Sequence, residues 1–482
     1  MAGIVGIASE KQIPLVEKAL TRLAHRGSAG RMVLCKQGVT FGIVWPKVQE
    51  SFAHRTNEQS VIMDGELYNW PNLAEDTCPL EAIENAYRVS GPAFLKLLDG
   101  PFALAIAGSN GFFLARDVVG ITPLYYGKYQ GNLCFASEAK ALIGWAENIT
   151  EFPPGHYFQS DVGLVQYDSI EQAASFNESA DVVASGLRAR LHAAVQKRIA
   201  HGDVGAWLSG GMDSAALTAL AAREVAGFHT FAVGMADSSD LKYAREAANF
   251  CSAKHHEKIV SVKEALAALP EVIYHLESFD ALLVRSSVMN FLVGKLAAEH
   301  VPAVLSGEGG DELFAGYDYL KELPLAALPA ELLDITHRLH NTALQRVDRC
   351  SAAHGLVART GFLDKSVISY ALQTPPEMKL RRNGAVIEKW ILRRAMAGLL
   401  PESVLQRPKE KFWQGAGVGD ALASRAEETI SDEDFQSERM VTETISLCTK
   451  EELMCYRIFR EQFGDKFDPA LVGRTKGAPR VP

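Results

Sequence analysis

The sequence predicts a layered α+β domain over residues 1–170, followed over residues 180–464 by an α/β domain with a parallel sheet and a helical C-terminal part. Three observations predict it. Short apolar strands with only two helical stretches fill the chain up to Tyr167, strand and helix alternate from Val182 to Ser306, and the pattern from Leu320 onward is helical. A chain of 482 residues also exceeds what a single core supports, so two domains are expected.

In the first domain, strands are expected at residues 3–8, 41–45, 60–63, 102–108, 111–115 and 133–136, with helices at 14–24 and 79–88. Residues 175–181 read as a polar linker. The next helix, 182–199, places Val182, Leu187, Leu191, Ala194 and Val195 at helical spacing. Strands at 206–208, 227–234, 257–260 and 301–306 then alternate with helices from Met212, at 240–251 and across 261–298. Residues 465–482 are expected to be disordered.

Two turns carry the chemistry. The strand ending Ala206-Trp207-Leu208 breaks into Ser209-Gly210-Gly211 and opens a helix at Met212-Asp213-Ser214. A strand, a glycine turn and a helix start aim unpaired N–H groups and the positive end of a helix dipole at one point, which suits an anion. Asp213 would repel a phosphate there, so its presence implies a bridging cation, most simply Mg2+. The pattern lacks the Gly-Lys-Ser/Thr ending of a Walker loop. The strand at 301–306 runs into Ser306-Gly307-Glu308-Gly309-Gly310-Asp311-Glu312, and Asp311 at the same sheet edge would complete the cation site begun by Asp213.

Composition excludes other classes. A net charge of −9 argues against a general nucleic-acid or anionic-membrane surface. No apolar run of bilayer-spanning length is read in the sequence, which points to a cytoplasmic protein with a small-molecule substrate. Seven cysteines without a Cys-x-x-Cys motif form neither a disulfide framework nor a zinc site. His255 and His256, adjacent on a strand, face opposite sides and read as structural rather than as a ligand pair.

Ordered motifs along the chain resemble those of the glutamine-dependent asparagine synthetase family, which includes the β-lactam synthetases. They are Gly3-Ile4-Val5-Gly6, His25-Arg26-Gly27, Asp64-Gly65-Glu66, Arg116-Asp117, Ser137-Glu138-Ala139-Lys140, the two turns, Arg359 with Phe362-Leu363-Asp364, Glu388-Lys389 with Ile391-Leu392-Arg393, and Arg407-Pro408-Lys409. The resemblance implies an N-terminal αββα amidotransferase sandwich of the Ntn type and an ATP-pyrophosphatase-like synthetase domain. It implies that Leu208, Ser209, Gly210, Gly211, Asp213 and Ser214 hold the pyrophosphate of ATP, that Asp213 and Asp311 hold Mg2+, and that Val233, Ser306 and Gly307 line the nucleotide pocket. Glu308 matches a proposed base, Lys409 matches a lysine that stabilises reacting phosphate, and Glu388 is the candidate glutamate of a Tyr/Glu pair. Leu282, Arg285, Gly309 and Asp311 match the substrate pocket, with Arg285 expected to pair with a substrate carboxylate. The resemblance is compatible with a homodimer.

The sequence also departs from the family. Glutamine-hydrolysing members carry a cysteine where this chain has Ala2, and a methyl group forms no thioester. Asp64 replaces the asparagine of Asn-Gly-Glu, a glutamine-holding aspartate falls near Pro79 in Asp76-Thr77-Cys78-Pro79, and an arginine expected about residues 41–47 is missing. The front domain therefore reads as glutaminase-inactive. Leucines at 282 and 283 remove hydroxyl donors from the acceptor pocket. Three functions fit: ring closure within one substrate, as in β-lactam antibiotic biosynthesis; an intermolecular amide synthetase using ammonia or another amine; and a non-catalytic relative. Loss of the glutaminase favours the first, Glu308 favours the second, and retention of both turns disfavours the third; ring closure is the reading the sequence favours, with the intermolecular synthetase as its alternative.

Overall fold

The computed structural model describes residues 1–36, 38–46, 53–55, 59–70, 78–108, 111–200, 202–382, 386–408, 416 and 419–476. The chain forms two compact units, one made of Met1–Ile170 with Ala352–Gly355 and Phe463–Leu471, the other of the remainder.

The first unit contains β1 (Gly3–Ile7), β2 (Gly30–Lys36), β3 (Val39–Trp45), β4 (Ala53–Arg55), β5 (Gln59–Gly65), β6 (Phe102–Gly108), β7 (Gly111–Arg116), β8 (Tyr125–Tyr129), β9 (Asn132–Ala136), β10 (Glu147–Glu151), β11 (His156–Gln159) and β12 (Gly163–Gln166). They build two six-stranded antiparallel sheets, ordered β10-β8-β9-β1-β3-β2 and β12-β11-β7-β6-β5-β4. Ile4, Phe41 and Ile43 of one sheet meet Ile62, Ala105, Phe112 and Leu114 of the other in a shared core. Helix Ile13–Thr21 covers β3 and helix Pro79–Ser90 covers β5, giving four layers, αββα. The strands expected from sequence are the central ones. Those not expected are the edge strands β2, β4, β10 and β12 with their neighbours β8 and β11; β10, with its largely exposed Glu-Asn-Ile-Thr-Glu run, buries too little for a hydrophobic period to show.

The second unit is organised on a parallel sheet of β13 (Val204–Trp207), β14 (His229–Gly234), β15 (Lys254–Ile259), β16 (Ala303–Ser306) and β17 (Val357–Thr360), in the order β15-β14-β13-β16-β17. β17 is a strand that the helical pattern read from Leu320 onward did not reveal, within a C-terminal part that is otherwise mainly helical. Its four residues, Val-Ala-Arg-Thr, are all buried and too few to show any period. The chain leaves β13 toward β14 and β15, then returns to β16 on the other side, so strand order reverses between β13 and β16. That reversal opens a crevice beyond the carboxyl ends of two neighbouring strands.

The helices begin where the sequence supplies caps. Ser179, Ser238 and Asp280 accept from N–H groups in the first turns of helices Ala180–Ile199, Ser239–Phe250 and Ala281–Ala298, and Ser261 with Glu264 forms a reciprocal capping box on Val262–Leu276. Helix Ala281–Ala298 is, by length and composition, apolar enough to cross a bilayer, contrary to the sequence reading; 72% of it is buried within the protein, as in a core helix.

The expected disorder from Asp465 is also corrected for the described residues. The Phe463 and Phe467 rings meet at a tilt, with centroids 5.1 Å apart, in the first unit. In the second, Thr475 donates its N–H to Asp280 at 3.0 Å, Arg474 pairs with Glu452, and Lys476 reaches Asp334 at 2.7 Å. Ion pairs fix a polar segment that composition alone reads as loose.

Candidate active site

The turn after β13 requires its glycines. Gly210 adopts φ +70, and a Cβ there would lie 2.5 Å from the Ala244 nitrogen. Gly211 caps helix Met212–Ala221 without any side-chain bond, and Ser209 and Ser214 face each other with hydroxyls 3.1 Å apart. Arg407 anchors this turn by donating to the Ser209 carbonyl at 3.2 Å and to Asp240 at 2.6 Å, with its guanidinium 4.4 Å from the centre of the Tyr243 ring.

Because β13 and β16 pair in parallel, with Ala206 beside Leu305, the two turns emerge side by side. They interlock. A Cβ at Gly310 would sit 2.4 Å from the Asp213 carboxylate, and one at Gly316 would collide with Asp311 and Lys389. The result is the juxtaposition expected from sequence: Asp213 Oδ2 and Asp311 Oδ1 each lie 2.5 Å from one atom, Nζ of Lys389. Lys389 is 1% exposed and its backbone N–H donates to the Phe314 carbonyl.

A cavity of about 540 Å3 opens over this point. Leu208, Ser209, Gly211, Asp213, Ser214, Val233, Ser306, Gly307, Glu308, Asp311 and Leu282 all line it. Gly210 and Gly309 support it from within the turns; Gly309, at φ +94, packs so closely on Leu363 that a Cβ would come within 2.6 Å.

Two expected residues are placed differently. Arg285 is not among the lining residues; it forms a two-pronged pair with Glu451, 166 positions away, with Nε 2.7 Å from Oε1. The two-pronged edge of the Arg285 guanidinium that would grip a substrate carboxylate is thus taken by Glu451. Glu388 is also absent from the lining and is 4% exposed, held by Arg393 at 2.5 Å and Lys321 at 3.4 Å, so the motif's contribution passes to the next residue, Lys389. Lys409 lies outside the described residues, as do Asp76 and Thr77.

The structure adds residues that sequence reasoning missed. Glu308 is met by Arg346 at 2.7 Å. Glu312 is 3% exposed and accepts from the Tyr317 hydroxyl; burial first, then the neighbouring Asp311 charge, push its carboxyl up to about 7. Both acids and Arg346 face the cavity. Glu312 stood in the quoted second turn, but only burial distinguishes it from Glu308. Arg474, Thr475 and Lys476 close the far wall, from a segment expected to be disordered.

In the first unit, motifs from four separated stretches meet around Arg26, which is fully buried. Its Nε donates to the Ala2 carbonyl at 2.6 Å, and its other nitrogens reach Glu138 at 2.9 Å and Asp64 at 3.1 Å. Ser137 donates to the same Asp64 oxygen, and Lys140 pairs with Glu138. Burial holds the His25 imidazole below its ordinary value, so two cations balance two carboxylates.

A glycine turn at a helix start and an acid pair gathered on one cation, meeting at the switch point of a parallel sheet, in a chain whose other unit is an αββα sandwich, suit a nucleotide-dependent ligase. A family model described as asparagine synthase matches residues 186–334 and 326–447, and a glutamine amidotransferase domain model matches residues 1–162. An asparagine synthetase [glutamine-hydrolyzing] from Zea mays is 34% identical over 473 residues, covering 89% of this chain and 80% of that one. A second, from Arabidopsis thaliana, is 34% identical over 526 residues, covering 99% of this chain and 89% of its own length. The chain belongs to the asparagine synthase family, whose members are ATP-dependent carbon–nitrogen ligases.

Proposed function

We propose that this chain joins the carboxylate of a small amino-acid-like substrate to ammonia or another small amine through an acyl adenylate, without drawing the nitrogen from glutamine. The convergence of Asp213 and Asp311 on one cation beside the Ser209 turn carries this reading. In the first half-reaction a carboxylate oxygen attacks the α-phosphorus of ATP and the bond to pyrophosphate breaks. In the second, the amine nitrogen attacks the acyl carbon and the bond to AMP breaks.

Each residue then has a task. The Ser209 and Ser214 hydroxyls and the start of helix Met212–Ala221 cradle the departing pyrophosphate, and Lys389 sets a positive charge beside it. Asp213 and Asp311 are hard-oxygen donors already aimed at a single cation, so they fit Mg2+, which when bound would neutralise charge on the phosphates. Glu312, near neutrality, takes the surplus proton of the incoming ammonium, while Arg346 orients Glu308 next to it. Val233 and Gly307 offer backbone to the adenine side of the cavity.

Glu308 and Glu312 in the cavity favour an amine that arrives from solution. Ring closure within one substrate draws support from Leu282, whose apolar side chain lines the wall where a polar acceptor would want donors. ATP–pyrophosphate exchange over a panel of amino acids separates them. The expected result is exchange that depends on an added acid, with amide appearing only when ammonium or an amine is supplied. Product from a single amino-acid derivative without added amine would turn the reading to ring closure, and no exchange with any acid would overturn both.

Loss of glutaminase activity has its own support. Ala2 is fully buried in the apolar core between the sheets, its carbonyl is taken by Arg26, and Asp64 is held by the same guanidinium. Glutamine is therefore expected to release no glutamate above background, and ammonium to be the better nitrogen source by orders of magnitude. Glutamine-dependent amide formation at rates matching ammonium would overturn this.

A further inference from the structure

Among the described residues, three imidazoles gather away from the nucleotide cavity. His229 opens β14, His256 lies on β15 beside Phe231 in register, and His300 follows helix Ala281–Ala298 just ahead of β16. One ring nitrogen from each lies within 4.8 Å of the others. His256 Nε2 and His229 Nδ1 are 3.0 Å apart, and the His256 and His300 rings stack with centroids 4.0 Å apart. The Phe231 ring stacks on both, at 5.1 and 5.7 Å. Residues 229 and 231 share a face of the sheet with 254 and 256, so strand alternation and parallel register bring His229 and His256 together.

We propose that His229, His256 and His300 form a surface site for a borderline divalent cation such as Zn2+, tying β14, β15 and the turn before β16 together at the amino end of the sheet. Three nitrogens at about 2.0–2.1 Å from a tetrahedral metal lie roughly 3.4 Å apart. The His229–His256 pair needs to open by a few tenths of an ångström, and His300, exposed on a turn, closes by on the order of 1 Å. The proton shared between His229 and His256 leaves as the metal takes both lone pairs. Nitrogen donors select Zn2+, Ni2+ or Cu2+ over Mg2+, so this site is chemically distinct from the Asp213–Asp311 pair. Charges of both signs, Lys254 and Asp203, flank it. His255, on the opposite face, is engaged by the Thr230 hydroxyl at 3.0 Å and stays outside. From His229 to Val233 is roughly 13 Å along one strand, so the metal would brace the strand that carries the adenine side of the cavity.

The test uses the full chain, stripped with a chelator and titrated with Zn2+ or Co2+ alone. The expected result is one equivalent bound, with Co2+ giving visible d–d bands of a nitrogen site, and affinity lowered at least about tenfold in His300→Gln and His256→Ala but unchanged in His255→Ala. Equal affinity in His300→Gln and the parent chain, or a thiolate charge-transfer band placing the metal on a cysteine, would overturn it. Substituting exposed His300 is not expected to disturb folding, which keeps the test readable if His256→Ala fails to fold.

Discussion

Lys389→Met is expected to lower stability by about 3–5 kcal/mol in Mg2+-free buffer, the scale seen when one partner is removed from a buried charge group. The variant leaves Asp213 and Asp311 facing each other across the position their shared cation held. Mg2+ in the millimolar range is expected to restore much of that loss, because it can replace the ammonium between two carboxylates, and to raise the melting temperature of the variant more than that of the parent. ATP–pyrophosphate exchange is expected to fall by roughly 10²–10³-fold even with Mg2+, since Lys389 is an additional positive charge where pyrophosphate departs. Calorimetric melting with and without Mg2+ reads the first effect and isotope exchange the second. An unchanged melting temperature, or identical Mg2+ responses in variant and parent, would refute the shared-cation reading.

Glu312→Gln carries the second large effect. Amide formation is expected to drop by about 10²–10⁴-fold while pyrophosphate exchange is retained, because proton removal follows adenylation. The parent's amide-forming rate should rise with pH through about 7 and the variant's should not. Stability tests the same group independently. A carboxyl raised in the folded state contributes stability that is fully present below its ordinary value and is lost as pH rises through about 7. The parent should therefore lose stability between about pH 4.5 and 7 through this group, and the variant should be flatter over that window. Tyr317→Phe removes a donor to the charged carboxylate and should move the kinetic limb to higher pH. A pH profile unchanged in both variants would take the proton-accepting role from Glu312.

The placement of the two glycine turns was legible before folding because each turn announces itself locally. Ser209-Gly210-Gly211 and Ser306-Gly307-Glu308-Gly309-Gly310 are strand ends with residues that only tight turns demand, and a parallel sheet sends both to one edge. The choices among similar residues were not legible. Arg285 and Arg346 are both arginines on helices, yet Glu451 occupies the first while the second faces the cavity. Glu388 and Lys389 are neighbours in one motif, but the left-handed backbone at Lys389 turns its side chain to the acids and leaves Glu388 to Arg393. The ordered segment before Lys476 was missed for the same reason, since its partners Asp280, Glu331 and Asp334 are far off in the chain.

From its order of residues alone, the chain determined two units, a layered α+β front domain, the parallel sheet and the pair of glycine turns, which follow from periodicity and backbone conformation over a few neighbouring positions, while the four-layer sandwich was implied by the resemblance of its motifs to a known family. Only the tertiary structure decided that Lys389 is the shared cation, that Glu312 is buried beside Asp311 so that its carboxyl is pushed up, and that His229, His256 and His300 meet. Charge pairing and desolvation act between groups such as Lys389 and Asp213, 176 positions apart, and depend on distance and burial that no local pattern encodes.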